Sequence, residues 1–179
     1  MSIGRPIRFP AIALLIACAS PSAGAERISA QETDIARCIS RSSQGRKWLE
    51  VTLWGLRDQE GGWAGAAVRN GNGSVDLGPL QINSSWVPRL ARVIAADERD
   101  VRRWLADDPC FNAEAARWIF LSGLRITGDY WSAVGAYHSP DPGRSRRYAH
   151  GVARRIQRRF GNQIFDHKQA TSPPSRQGK

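Results

Sequence analysis

Residues 53–83 read LWGLRDQEGGWAGAAVRNGNGSVDLGPLQIN, and this stretch decides the fold. Its first part closes a helix. Leu49, Leu53, Leu56 and Glu60 recur at i, i+4, i+7 and i+11, which puts all four on one face of an α-helix. Gly61-Gly62 then supplies a stop, because glycine takes the left-handed backbone of a helix C-terminus at little cost. Across residues 70–78 the chain carries Gly71, Gly73 and Gly78, so it reads as tight turns or a small β-hairpin. Helical periodicity on both sides of that region predicts a mainly α (α+β) single domain.

The same patterns extend in both directions. Upstream, Ser29 with Glu32 three residues later forms a candidate capping box ahead of Ile35 and Ile39. Downstream, Ser84 or Ser85 is expected to cap a helix carrying Trp86. Residues 107–112, with Pro109, read as a turn, and Asn112 as the cap of a helix running to Leu124. Tyr130 to His138 read as a short apolar helix broken by Pro140 and Pro142. Tyr148, Val152, Ile156 and Phe160 recur every four residues and predict a last amphipathic helix. That helix is rich in arginine, with Arg144, Arg146, Arg147, Arg154, Arg155, Arg158 and Arg159. The run is either a solvated face or an electrostatic footprint for an anionic surface.

Composition bounds the rest. The chain has 179 residues, a net charge of +10 and 41% apolar residues. These values exclude collagen-like and disulfide-dense miniproteins and argue against a wholly disordered chain. No apolar run reaches the roughly 18 residues that a membrane span needs. Residues 1–25 read as an export signal: Arg5 and Arg8, a short apolar run over 11–17, and the small-x-small site Ala23-Gly24-Ala25. Leu15-Ile16-Ala17-Cys18 also resembles the box before a lipidated cysteine, which would give an anchored protein instead of a soluble exported one. Residues 26–165 read as one domain and the polar segment 166–179, with Pro173-Pro174, as a basic disordered tail. Without the leader, Cys38 and Cys110 remain. An even pair in an oxidising compartment points to a disulfide, the alternative being two buried thiols.

The chemistry centres on Glu60. An ionisable group ends an apolar stripe where a leucine would pack better. Burial disfavours the charged form of a carboxylic acid, raises its pKa and fits it to act as a general acid near neutral pH. Trp63, three residues on, is the expected wall for such a pocket. The run Gly73-Ser74-Val75-Asp76-Leu77-Gly78-Pro79-Leu80-Gln81-Ile82-Asn83 sets hydroxyl, carboxyl and amide groups among glycines. Amides offer the paired donors and acceptors that sugar hydroxyls and N-acetyl groups require. Asp76 as a turn former and Asn83 as a helix cap are the purely structural readings. His138, His150 and His167 are too scattered for a metal site. No phosphate-binding loop and no G-x-S-x-G elbow occurs, so no metal or cofactor is expected.

Four segments in order resemble lytic transglycosylases. They are Glu60-Gly61-Gly62-Trp63, the run from Gly73 through Asn83 to Trp86, Asp108-Pro109-Cys110-Phe111-Asn112, and Ala133-Val134-Gly135-Ala136-Tyr137-His138. The similarity is to the small, lysozyme-like exported kind that accompanies type III and type IV secretion systems and conjugative pili, and it covers about residues 35–160. It implies a lysozyme-like fold. It also implies cleavage of the β-1,4 bond between N-acetylmuramic acid and N-acetylglucosamine in peptidoglycan, with formation of 1,6-anhydromuramic ends. Glu60 matches the catalytic glutamate of that family. Ser74, Gln81 and Asn83 match positions that hold the sugar or orient the acid, and Tyr137 the tyrosine facing the pocket. The Cys38–Cys110 pairing suits the exported subgroup.

The sequence departs from the family pattern at Gly61, usually serine, at Pro79-Leu80, usually Leu-Met, and at His138, often asparagine. The expected partner is the glycan strand, together with components of a secretion or pilus apparatus, in a periplasmic or exported setting and without nucleic acid. Two other readings compete. A hydrolytic muramidase would need a second carboxylate, for which Asp76 is the candidate. A wall-binding assembly protein would need no buried acid. Among the tryptophans, Trp63 and Trp86 are the expected sugar contacts.

Overall fold

A computed structural model describes residues 23–165. The expected leader, save its last three residues, and the expected tail lie outside the described residues. Seven α-helices and a small antiparallel sheet follow in the order α1 (Ala23–Ser43), α2 (Lys47–Glu60), β1 (Ala67–Arg69), β2 (Val75–Leu77), β3 (Ile82–Asn83), α3 (Val87–Ile94), α4 (Glu98–Asp107), α5 (Pro109–Thr127), α6 (Tyr130–His138) and α7 (Pro142–Phe160). The fold is therefore mainly helical with a minor β element, as the periodicity predicts.

Helix α2 sits at the centre. Leu49, Leu53 and Leu56 are fully buried, and they meet α1 and α7, with α5 closing the core through Phe120 and Ile119. Helix α6 packs between α5 and α7 and buries Ala133 and Val134. The Tyr148, Val152 and Ile156 stripe of α7 faces α2, as its four-residue spacing requires. Cys38 and Cys110 form a disulfide, Cα to Cα 4.6 Å, that ties α1 to the first turn of α5. Among the described residues no helix is long and apolar enough to cross a membrane.

The sheet is a meander in the order β1-β2-β3, with Val68 opposite Asp76 and Asp76 opposite Asn83. It is the small β element expected from the glycine run, with one strand more than a hairpin. The third strand is two residues long and continues into a 3₁₀ turn, Ser84–Trp86, before α3.

Four local expectations are corrected. Ser29 and Glu32 lie inside α1, which begins at Ala23, so they form no capping box. The turn carrying Trp86 is capped by Asn83, whose side chain accepts from the Ser85 N–H, and by neither serine. Helix α5 is capped by Asp108, whose carboxylate accepts from the N–H groups of Cys110 and Phe111, with Pro109 in the first turn. Asn112 lies within α5, fully buried. Pro142 starts α7 instead of only breaking α6, because proline's fixed φ suits the first helical turn.

Candidate active site

Helix α2 delivers Glu60 to a cleft. It ends there because Gly61 caps it at φ 64°, in the left-handed region, with its N–H bonded to the Arg57 carbonyl. Helix α7 crosses α2 closely. A Cβ at Gly55 would fall 2.5 Å from the Ile156 side chain, so glycine is what allows the approach. The same crossing brings Tyr148, on the stripe of Val152 and Ile156, to the end of α2. Its Oη–H donates to Glu60 Oε1. The ring of His138 stacks flat on Tyr148, centroids 4.6 Å apart with 1° between planes.

This setting changes the acid. Burial pushes the Glu60 carboxyl up from 4.5 to about 7; the Tyr148 hydrogen bond acts the other way and the charge of Asp76 adds to the rise. Burial, together with the negative charge of Glu60, raises the Tyr148 phenol well above its ordinary value, so it remains a donor. Tyr137 is raised in the same way, and its Oη–H donates to the Leu80 carbonyl at 3.0 Å, which pins α6 to the sheet turn.

The opposite wall is a hydrogen-bonded lattice. Asn83 Nδ2 donates to Ser74 Oγ and to Asp76 Oδ1, both at 2.8 Å. Ser74 Oγ donates to Asn72 Oδ1 at 2.7 Å and accepts from Asn70 Nδ2 at 3.1 Å. Gln81, at φ 45°, folds back so that its Nε2 donates to the Gly78 carbonyl at 2.7 Å. Behind this wall Asn112 acts as a clamp. Its Oδ1 accepts from the Leu80 N–H, and its Nδ2 donates to the carbonyls of Leu77 and Leu105, all within 2.8–2.9 Å. The contact is so close that a Cβ at Gly78 would lie 2.4 Å from Asn112 Nδ2.

Between the two walls lies a cavity of about 700 Å³. Glu60, Ser74, Asp76, Gln81, Asn83 and Tyr137 all line it, so these six of the residues singled out in the sequence reach one space. Trp86 lines it too, braced edge-on by Trp118 with ring centroids 6.1 Å apart. Trp63 is a correction. It is 54% exposed and lines no part of this cleft, because α2 ends at Glu60 and a three-residue helical spacing no longer applies beyond Gly61. Two residues were missed. Tyr148 reads in sequence as one more core position, and Asn112 as a cap. Among the described residues no cluster of three or more His, Cys, Asp or Glu side chains is placed to hold a metal ion.

Fold and site together define a class: a small, disulfide-tied helical domain whose cleft sets a buried carboxyl, its pKa pushed up to about 7, against a wall of amides and hydroxyls. A scan of protein-family profiles finds no match to the chain. Named proteins are similar. Invasion protein IagB of Salmonella typhimurium is 35% identical over 102 residues, which are 54% of this chain and 61% of that protein. Protein IpgF of Shigella flexneri is 32% identical over 128 residues, 69% of this chain and 81% of that protein. The chain belongs to the family of IpgF, and it spans rather less than two thirds of the length of IagB, to which it is also similar.

Proposed function

We propose that the protein is a peptidoglycan lytic transglycosylase, acting outside the cytoplasm and opening the wall locally for a secretion or conjugation apparatus. The observation that carries the reading is Glu60: a buried carboxyl with its pKa pushed up to about 7, in a cleft whose other wall is built of amide and hydroxyl groups. The order of motifs shared with lytic transglycosylases and the kinship with an invasion protein support it.

The chemistry needs one acid. Protonated Glu60 gives its proton to the glycosidic oxygen as the bond to the muramic C1 breaks. The resulting carboxylate takes a proton from the muramic C6 hydroxyl, whose oxygen closes on C1 to give the 1,6-anhydro ring. One proton leaves and one returns, so the acid is regenerated without water. A pKa near ambient pH suits a group that must perform both halves. Tyr148, bonded to Oε1, holds the carboxyl in place. Ser74, Gln81 and Asn83 present the polar surface for the sugar, and Tyr137 lines the same cleft.

Ordinary glycosidases pair two carboxyls. Asp76 is the second acid lining this cleft, but its Oδ1 is engaged by Asn83. The test is mass analysis of products from purified peptidoglycan, run on the parent, Glu60→Gln and Asp76→Asn. Anhydro-ended products that vanish in Glu60→Gln and survive in Asp76→Asn support the reading. Reducing ends, lost in Asp76→Asn, would make the enzyme a muramidase. Wall binding without either product would make it an assembly protein.

A further inference from the structure

Glu60 borders a second space. Besides the cleft, a lobe of about 400 Å³ opens beside the carboxyl and is lined by Gln59, Glu60, His138, Arg144, Arg147 and Tyr148. Arg144 borders both the lobe and the cleft. The His138–Tyr148 stack is therefore one flank of the lobe, and the exposed first turns of α7 supply its two guanidinium groups.

The charges do not cancel within it. The acid facing these arginines is Asp141, the N-cap of α7. Its carboxylate accepts the Arg144 backbone N–H at 2.8 Å and stands 3.7 Å from Arg144 Nε. That hydrogen bond first, and then the charges of Arg144 and Arg147, hold Asp141 below the usual carboxylate range. Two cations thus stand beside one exposed anion that does not line the lobe, and Glu60 is the acid that does.

We propose that the lobe is a carboxylate-binding subsite in which Arg144 and Arg147 receive the anionic substituent of the sugar whose bond Glu60 breaks. The inference rests on the peptidoglycan reading above. In that polymer the muramic residue carries a lactyl ether. The anion is either the lactyl carboxylate itself or, where a stem peptide is attached, a carboxylate of the peptide. Guanidinium forks match a carboxylate through two parallel hydrogen bonds, and a lobe opening off the catalytic cleft leaves room for a branch that the glycan-binding wall does not hold.

The test crosses two enzymes with two substrates. The enzymes are the parent and the double variant Arg144→Gln/Arg147→Gln, and the substrates are wall fragments with carboxylates free or capped as amides. Capping should lower kcat/KM of the parent about tenfold. The double variant should lose a similar factor on free-carboxylate fragments, and the two enzymes should run alike on capped ones. Strands stripped of peptide, bearing free lactyl groups, separate the sources: arginine dependence that persists assigns the lactyl carboxylate, and dependence that disappears assigns the peptide. An equal loss on capped and free fragments, or no loss on either, overturns the proposal. Calorimetric binding of soluble muropeptides by the same four combinations reads the subsite without turnover. A parent that forms no anhydro ends but shows arginine-dependent carboxylate binding would sink the reaction and leave the subsite standing.

Discussion

Replacing Glu60 with glutamine should stabilise the protein at alkaline pH and leave it nearly unchanged at pH 4. In the folded chain the carboxyl titrates at about 7 against an ordinary value of 4.5, with burial as the main cause. The unfolded chain releases this proton at the ordinary value. The folded state holds it longer, so stability is complete below about 4.5 and falls as pH rises through 7. At about 1.4 kcal/mol for each tenfold in proton affinity, the loss reaches up to about 3 kcal/mol at pH 8. Glutamine has no such cost, and its carbonyl still accepts the Tyr148 hydroxyl. For a domain of this size about 3 kcal/mol corresponds to roughly 6–12 °C in Tm. Thermal melts of parent and Glu60→Gln at pH 4 and pH 8, followed by circular dichroism with the disulfide intact, read the difference. A Tm gap of the same size at both pH values would show that Glu60 ionises freely in the folded protein, and the burial argument would be wrong.

Tyr148→Phe removes the hydrogen bond that favours the ionised form of Glu60, so the alkaline limb of the pH–kcat/KM profile should move to higher pH; a move to lower pH would contradict the geometry. Asn112→Ala strands the Leu80 N–H and the carbonyls of Leu77 and Leu105, and should cost about 3–5 kcal/mol in denaturant titrations. Cys110→Ser opens the Cys38–Cys110 loop of sequence separation 72 and should cost about 4 kcal/mol by the same measurement, with the parent plus reductant behaving alike.

Much of this fold is written in local pattern. The Leu49-Leu53-Leu56-Glu60 stripe and the Gly61 cap are legible because both depend on residues within one helix. The site was legible where its residues share the short run from Ser74 to Asn83, whose meander brings Asp76 opposite Asn83. Helix α4 was not, because it buries only Val101 and Leu105 amid charged neighbours, too few apolar positions to declare a period. Asn112 was misread because asparagine prefers caps. The better signal was Asp108 directly before Pro109, a cap followed by the residue suited to the first turn. Trp63 failed because what walls a buried acid is decided by which helices cross, and spacing along one helix cannot say that. The Tyr148 hydroxyl meets Glu60 across 88 residues, a contact no sequence window holds.

That separation has a consequence for the order of events as the chain is made. Glu60 and the amide wall emerge early, but the ring that bonds the acid belongs to the last helix, α7. The hydrogen bond from Tyr148 to the Glu60 carboxyl forms only once α7 docks on α2. Domains synthesised from the N-terminus complete such long-range contacts last. A nascent or C-terminally truncated chain therefore holds every residue of the amide wall and lacks the Tyr148 hydroxyl that bonds Glu60. The final helix thus completes the hydrogen bonding of Glu60 only in chains made and folded through α7.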